Sequence, residues 1–165
     1  LMSCILLGSL LHAQNNPYGI KDQLYPLYNN AYKKRTTDEG LVLAKQLYDD
    51  AVRLNDGKAQ CLALSIPMLY YFYADDKEGE FLKAVKSMQD KALATGYRQY
   101  YYFGIANTVN YFLSKNRHLE VYKYVLKLEA ERTICSDFSM DSHAFRRCTL
   151  PFLSSARRTR CLRRL

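Results

Sequence analysis

Tryptophan is absent from this 165-residue chain, Pro occurs four times and Gly seven. So few helix breakers exclude collagen-like, linker-like and low-complexity architectures. The five Cys form no Cys-x-x-Cys pair and the three His (His12, His118, His143) stand apart from one another. A zinc site needs close ligand pairs that chelate together, so no metal is expected, and the even spacing of Cys135, Cys148 and Cys161 is read as coincidence. Cys61 lies among apolar residues, where a thiol acts as a small hydrophobe. Missing too are a Gly-x-Ser-x-Gly elbow, a Gly-rich phosphate loop, a His-Glu-x-x-His pair and a calcium loop. Asp49-Asp50 and Asp75-Asp76 are adjacent acids, but helical neighbours point about 100° apart, so they are read as a solvated face and a turn. Neither catalysis nor a cofactor is expected.

What the chain does contain changes abruptly near Arg132. Residues 1–131 hold all fifteen Tyr and all twelve Lys, whereas residues 132–165 hold neither, but carry eight of the twelve Arg and three of the five Cys. Of the formal net charge of +8, the body supplies 16 basic against 14 acidic groups (+2) and the tail 8 against 2 (+6). Overall basicity therefore says little about the folded part. Three readings of the Arg-rich tail are kept: translation in a wrong reading frame or a misjoined gene, a disordered basic tail, and a terminal cap.

The start of the chain, from Leu1 to Leu11, is apolar over about eleven residues, too few for the roughly 20 that span a bilayer. Followed by polar His12-Ala13-Gln14, it fits the remnant of a secretory signal peptide over 1–13, with Ala13 last before cleavage. Export is expected, and the missing basic start marks a fragment.

Between Ile20 and Glu131 apolar residues recur at three and four, the period of a helix with one buried face, and strand-like alternation is absent. Six helices are predicted: Ile20–Lys34, a second from a capping box at Thr36 and Glu39 to Leu54, Lys58–Tyr73, Lys77–Ala94, Tyr97–Lys115 and His118–Glu131. Asp49 and Arg53 are expected to pair, Gly57 to take a left-handed cap, Gly96 to close the fourth helix, and Pro26 and Pro67 to kink their helices. Ala44 and Ala84 suggest a step of 40, and Gly57 and Gly96 one of 39. The fold expected is all-α: an α-solenoid of three antiparallel hairpins over 20–131.

Tyr100-x-x-Phe103-Gly104, Ala59-x-x-Leu62-Ala63 and Ala44-x-x-x-Tyr48-x-x-Ala51 resemble the two helices of a tetratricopeptide repeat. The period exceeds the usual 34 and the Pro that ends such repeats is missing, so the likeness is to divergent repeats. In this family the first helices line a groove for a protein or peptide ligand. The resemblance then implies groove positions at Gln23, Asn30, Lys33, Gln60, Arg98, Tyr101 and Thr108. Tyr is abundant at Tyr70-Tyr71-Phe72-Tyr73 and from Tyr97 to Phe103, where it serves either packing between repeats or recognition.

An exported Tyr-rich repeat segment also resembles the N-terminal periplasmic region of membrane sensor histidine kinases and related two-component regulators. That resemblance implies a non-catalytic sensory or protein-interaction segment, whose partners are a protein or peptide and the neighbouring repeats of a longer chain. The alternatives are a free-standing repeat scaffold and a nucleic-acid adaptor that uses the basic tail.

Overall fold

The computed structural model describes residues 16–134, the last six (129–134) by backbone alone. The expectations for 1–13 and for the tail from Cys135 onward lie outside the described residues. Within them run six α-helices and no strand: α1 Tyr25–Lys33, α2 Asp38–Arg53, α3 Gly57–Tyr73, α4 Glu78–Thr95, α5 Arg98–Ser114 and α6 His118–Ile134. The fold is all-α, as the periodicity requires. Helix α6 continues through Arg132 to Ile134, so the change of vocabulary falls inside a helix rather than at its end.

Several local expectations shift. Pro26 does not kink a long first helix: a 3-10 turn at Asp22–Leu24 precedes α1, and Pro26 occupies its first turn. There the missing N–H is one that a helix leaves unpaired anyway. The cap of α2 is Thr37, whose hydroxyl accepts from the Gly40 amide at 3.3 Å, while Glu39 pairs with Lys34 instead of reaching back. The cause is the turn: the Thr37 amide and hydroxyl both donate to the Lys34 carbonyl, at 2.9 and 2.8 Å, which starts the helix one residue later. Arg53 pairs with Asp50, three residues back, and Asp49 goes to Lys45. Helix α3 continues through Pro67.

The turns carry the repeat more clearly than the helices do. Asn55, Asp76, Gly96 and Asn116 have φ of 51, 52, 79 and 57°, and each stands two residues before a helix start. This left-handed conformation costs most L-residues about 1–2 kcal/mol, and Gly, Asn and Asp tolerate it best. Gly57, expected there, is instead the first residue of α3, behind Asp56 whose carboxylate accepts from the Ala59 amide at 2.9 Å. Helices α2, α4 and α6 begin at 38, 78 and 118, a step of 40, and α3 and α5 begin at 57 and 98, a step of 41.

Every helix packs on the next one along the chain, and α1 also meets α3 while α3 meets α5. Helices α2 and α4 bury one stripe each: Gly40, Ala44, Leu47 and Ala51 in the first, Phe81, Val85, Met88 and Ala92 in the second. Helices α3 and α5 are buried on most sides because they lie between neighbours, so their sequences show little amphipathic contrast. Two cores result. One spans Ile20 to Ile66, the other Met68 to Val121, and they meet in α3 on either side of Pro67. Tyr100 packs against both.

Most of the aromatics serve this packing. Phe81 stacks on Tyr111 with ring centroids 4.4 Å apart, and Phe72 meets both edge-on at 5.8 Å. The Tyr70 hydroxyl donates to Asp38 at the start of α2, at 2.6 Å, leaving Tyr73 as the exposed member of the aromatic run.

Candidate binding face on the first helices

The first helices of the three hairpins, α1, α3 and α5, touch in succession, whereas α2 and α4, or α4 and α6, make no comparable contact among the described residues. The first helices therefore touch one another along the array. The uncovered face of each recurs at three and four. On α1 and the turn before it, Gln23, Pro26, Asn30 and Lys33 are exposed. On α3, Leu64, Pro67 and Tyr71 are half-buried. On α5, Gln99 and Asn110 are exposed, with Phe103 and Asn107 half-buried between them. Apolar and aromatic groups thus sit at the centre, with amides to either side, and no carboxylate stands among these residues.

The seven positions implied by the family resemblance divide. Gln23, Asn30, Lys33 and Arg98 are exposed. Tyr101 is half-buried, with the Lys127 ammonium 5.5 Å from its ring centroid. Two positions do not reach a surface. Thr108 is wholly buried and donates to the Gly104 carbonyl at 2.9 Å. Gln60 is also buried, its amide donating to the Ala51 carbonyl at 3.4 Å. Both are corrected to packing residues, because α3 and α5 are covered on the sides where these groups project. The residues missed by sequence reasoning are Leu64, Pro67 and Tyr71 on α3 and Gln99, Asn107 and Asn110 on α5. Their spacing was visible, but on an all-round apolar helix spacing does not say which side is left open.

Local anchoring holds the face in place. The Asp56 carboxylate, at the head of α3, accepts from the Lys21 amide at 2.7 Å, which ties the segment before α1 to the second hairpin. The Asn107 amide donates to the Phe103 carbonyl at 2.8 Å. Desolvation pushes the phenols of Tyr28 and Tyr100 well above the ordinary tyrosine range. Burial likewise raises the Cys61 thiol, against the opposing pull of its contact with Thr95, so this Cys is held as an unreactive thiol.

Among the described residues no three His, Cys, Asp or Glu side chains are grouped to hold a metal ion, and no helix is long and apolar enough to cross a membrane. What the face offers chemically is hydrogen bonding through amides, the Lys33 ammonium and aromatic contact. Compared with known proteins, the sequence matches no family model, no curated protein and no solved structure.

Proposed function

We propose that this chain is a non-catalytic helical-repeat binding module that captures a protein or peptide on the α1–α3–α5 face. The observation behind the reading is the uncovered face itself, an acid-free strip of amides around Leu64, Pro67 and Tyr71. Amides can pair with peptide backbone, and an aromatic beside apolar side chains suits a partner's buried anchor residue. In this reading the module is exported, is the extracytoplasmic sensory or interaction segment of a signal-transduction protein, and carries no chemistry of its own. Export is supported by the apolar run before His12.

The test is selection of binders from a displayed random-peptide library against the full chain, followed by titration against variants. Gln99→Ala and Asn110→Ala, both at exposed positions, are expected to weaken a selected peptide at least tenfold while far-UV CD and Tm stay near the parent values. Binding unchanged in both variants refutes the assignment of this face. N-terminal sequencing of protein secreted by a bacterial host checks the export reading, with a mature start at Gln14 expected.

A further inference from the structure

Acidic residues are sorted between the two kinds of helix. No Asp or Glu occurs anywhere in α1, α3 or α5, whereas α2, α4 and α6 each carry several. Every described acid of α2, α4 and α6 already has a side-chain partner. The first helices carry one cation apiece, Lys33, Lys58 and Arg98, and none of these has a carboxylate partner among the described residues.

Two of the three cations sit where a helix disfavours them. Lys58 and Arg98 stand in the first turns of α3 and α5, at the positive end of the helix dipole. Packing also brings them to one end of the array: a side chain at Gly57 would stand 3.2 Å from the Tyr97 ring, so the start of α3 lies against the residue before Arg98. The acid at this end, Asp56, is buried with both carboxylate oxygens taken by the Lys21 and Ala59 amides, and Asp22 accepts from Asn16 at 3.1 Å. Lys33 is the last residue of α1, at the end away from the Lys21–Asp56 contact. Between these ends lies the strip of Leu64, Pro67 and Tyr71 with its flanking amides. A local rule broken without a local return marks a place where a partner supplies what is missing, here negative charge.

We propose that the partner of this face is an acidic protein segment, whose carboxylates meet Lys33, Lys58 and Arg98 on either side of an apolar anchor seated at Leu64, Pro67 and Tyr71. The inference rests on the peptide-binding reading of the face and gives that partner its charge. A nucleic-acid strand fits less well, because it brings a phosphate about every 3.4 Å against one cation per helix.

Two fluorescent random-peptide pools test this against the full 165-residue chain, one with Asp and Glu but no Lys or Arg, the other with the signs reversed. The acidic pool is expected to bind at least tenfold more tightly. Raising salt from about 0.1 to about 1 M, which cuts the screening length from about 10 to about 3 Å, should weaken it. The double variant Lys33→Gln, Arg98→Gln should weaken a peptide selected from the acidic pool about tenfold, each exposed pair adding a few-fold. The control Lys83→Gln, Lys123→Gln removes as much charge from exposed positions of α4 and α6 and should change binding by less than about twofold. Equal weakening by the control overturns the proposal, because net charge alone would then be read. No weakening in the Lys33 and Arg98 variant also overturns it, moving acidic capture to the Arg-rich sequence beyond 132. Displacement of the peptide by a single-stranded RNA of the same length overturns it in favour of nucleic acid. Equal binding of both pools that Asn110→Ala still weakens overturns the acidic partner yet leaves the peptide reading standing, whereas no binding by either pool removes both.

Discussion

Arg117 donates from Nη1 to both carboxylate oxygens of Glu78, at 2.8 and 2.6 Å, across 39 positions of sequence. Its Nη2 reaches Glu120 at 3.0 Å, and its guanidinium lies 4.7 Å from the Phe112 ring centroid. One side chain thereby ties the start of α4 to the turn between α5 and α6, fastening the second hairpin to the third.

Substituting either partner should loosen that clamp in a salt-dependent way. Arg117→Gln and Glu78→Gln are each expected to lower Tm, and the double variant should fall by less than the two single effects combined. At 1 M salt, where the screening length is about 3 Å, the coupling should shrink. Additive losses at both salt concentrations would show that the pair contributes nothing as a pair.

Acid should act through the same groups. The Arg117 hydrogen bond holds the Glu120 carboxyl below the ordinary range, and Glu80 is lowered by a backbone hydrogen bond and then by Lys77. A carboxylate whose folded pKa is depressed contributes stability above its unfolded value, about 4.3, and loses it as pH falls through the folded one. Tm should therefore drop below about pH 4.3, and the drop should be smaller in Arg117→Gln. An identical acid profile in parent and variant would contradict the assignment to Glu120.

Gly79 in α4 and Gly96 just past its end should respond with opposite signs. Gly96 has open space around it but a φ of 79°, so Gly96→Ala is expected to cost about 1 kcal/mol from backbone strain alone. Gly79, in the first turn of α4 and also unobstructed, has no such φ, and Gly79→Ala should stabilise by up to about 1 kcal/mol. Urea unfolding of the pair decides it; equal signs would refute the reading.

Alkali should unfold the chain through its buried phenols. Tyr28 is raised by burial first and then by Tyr18, and Tyr100 by burial and then by Cys61 and Asp56. A raised folded pKa means stability is complete below the unfolded value of about 10 and is lost as pH climbs beyond it. Absorbance at 295 nm should show these two of the fifteen Tyr ionising only with loss of helical CD. Smooth ionisation of all fifteen with the helices intact would count against it.

Much of the architecture was legible because its cause is local. Apolar spacing of three and four marks α2 and α4, each of which buries one stripe, and Gly96 marked a helix end because few other residues accept its conformation. Register within turns was harder to read. Asn55 and Gly57 both suit a left-handed position, and the choice fell to Asn55 because Asp56 caps α3 from the next residue. Thr36 and Thr37 are equally good caps as residue types, and the hydrogen bonds to the Lys34 carbonyl selected the second.

The proposed face was legible only at its edges. On α1, exposed on one side, Gln23, Asn30 and Lys33 were found from spacing combined with the family resemblance. On α3 and α5 the same reasoning chose Gln60 and Thr108, which prove to be buried, because a polar residue on a helix covered from several sides can satisfy itself on backbone.

By itself the sequence determined that this protein is helical, where its helices lie and that they repeat, since propensity, periodicity and turn chemistry act over a few residues at a time. Tertiary structure alone decided which side of α3 and α5 stays open, that the first helices touch in succession, and that Arg117 meets Glu78. Those outcomes depend on how neighbouring helices pack, and packing brings together residues some forty positions apart that no local pattern connects.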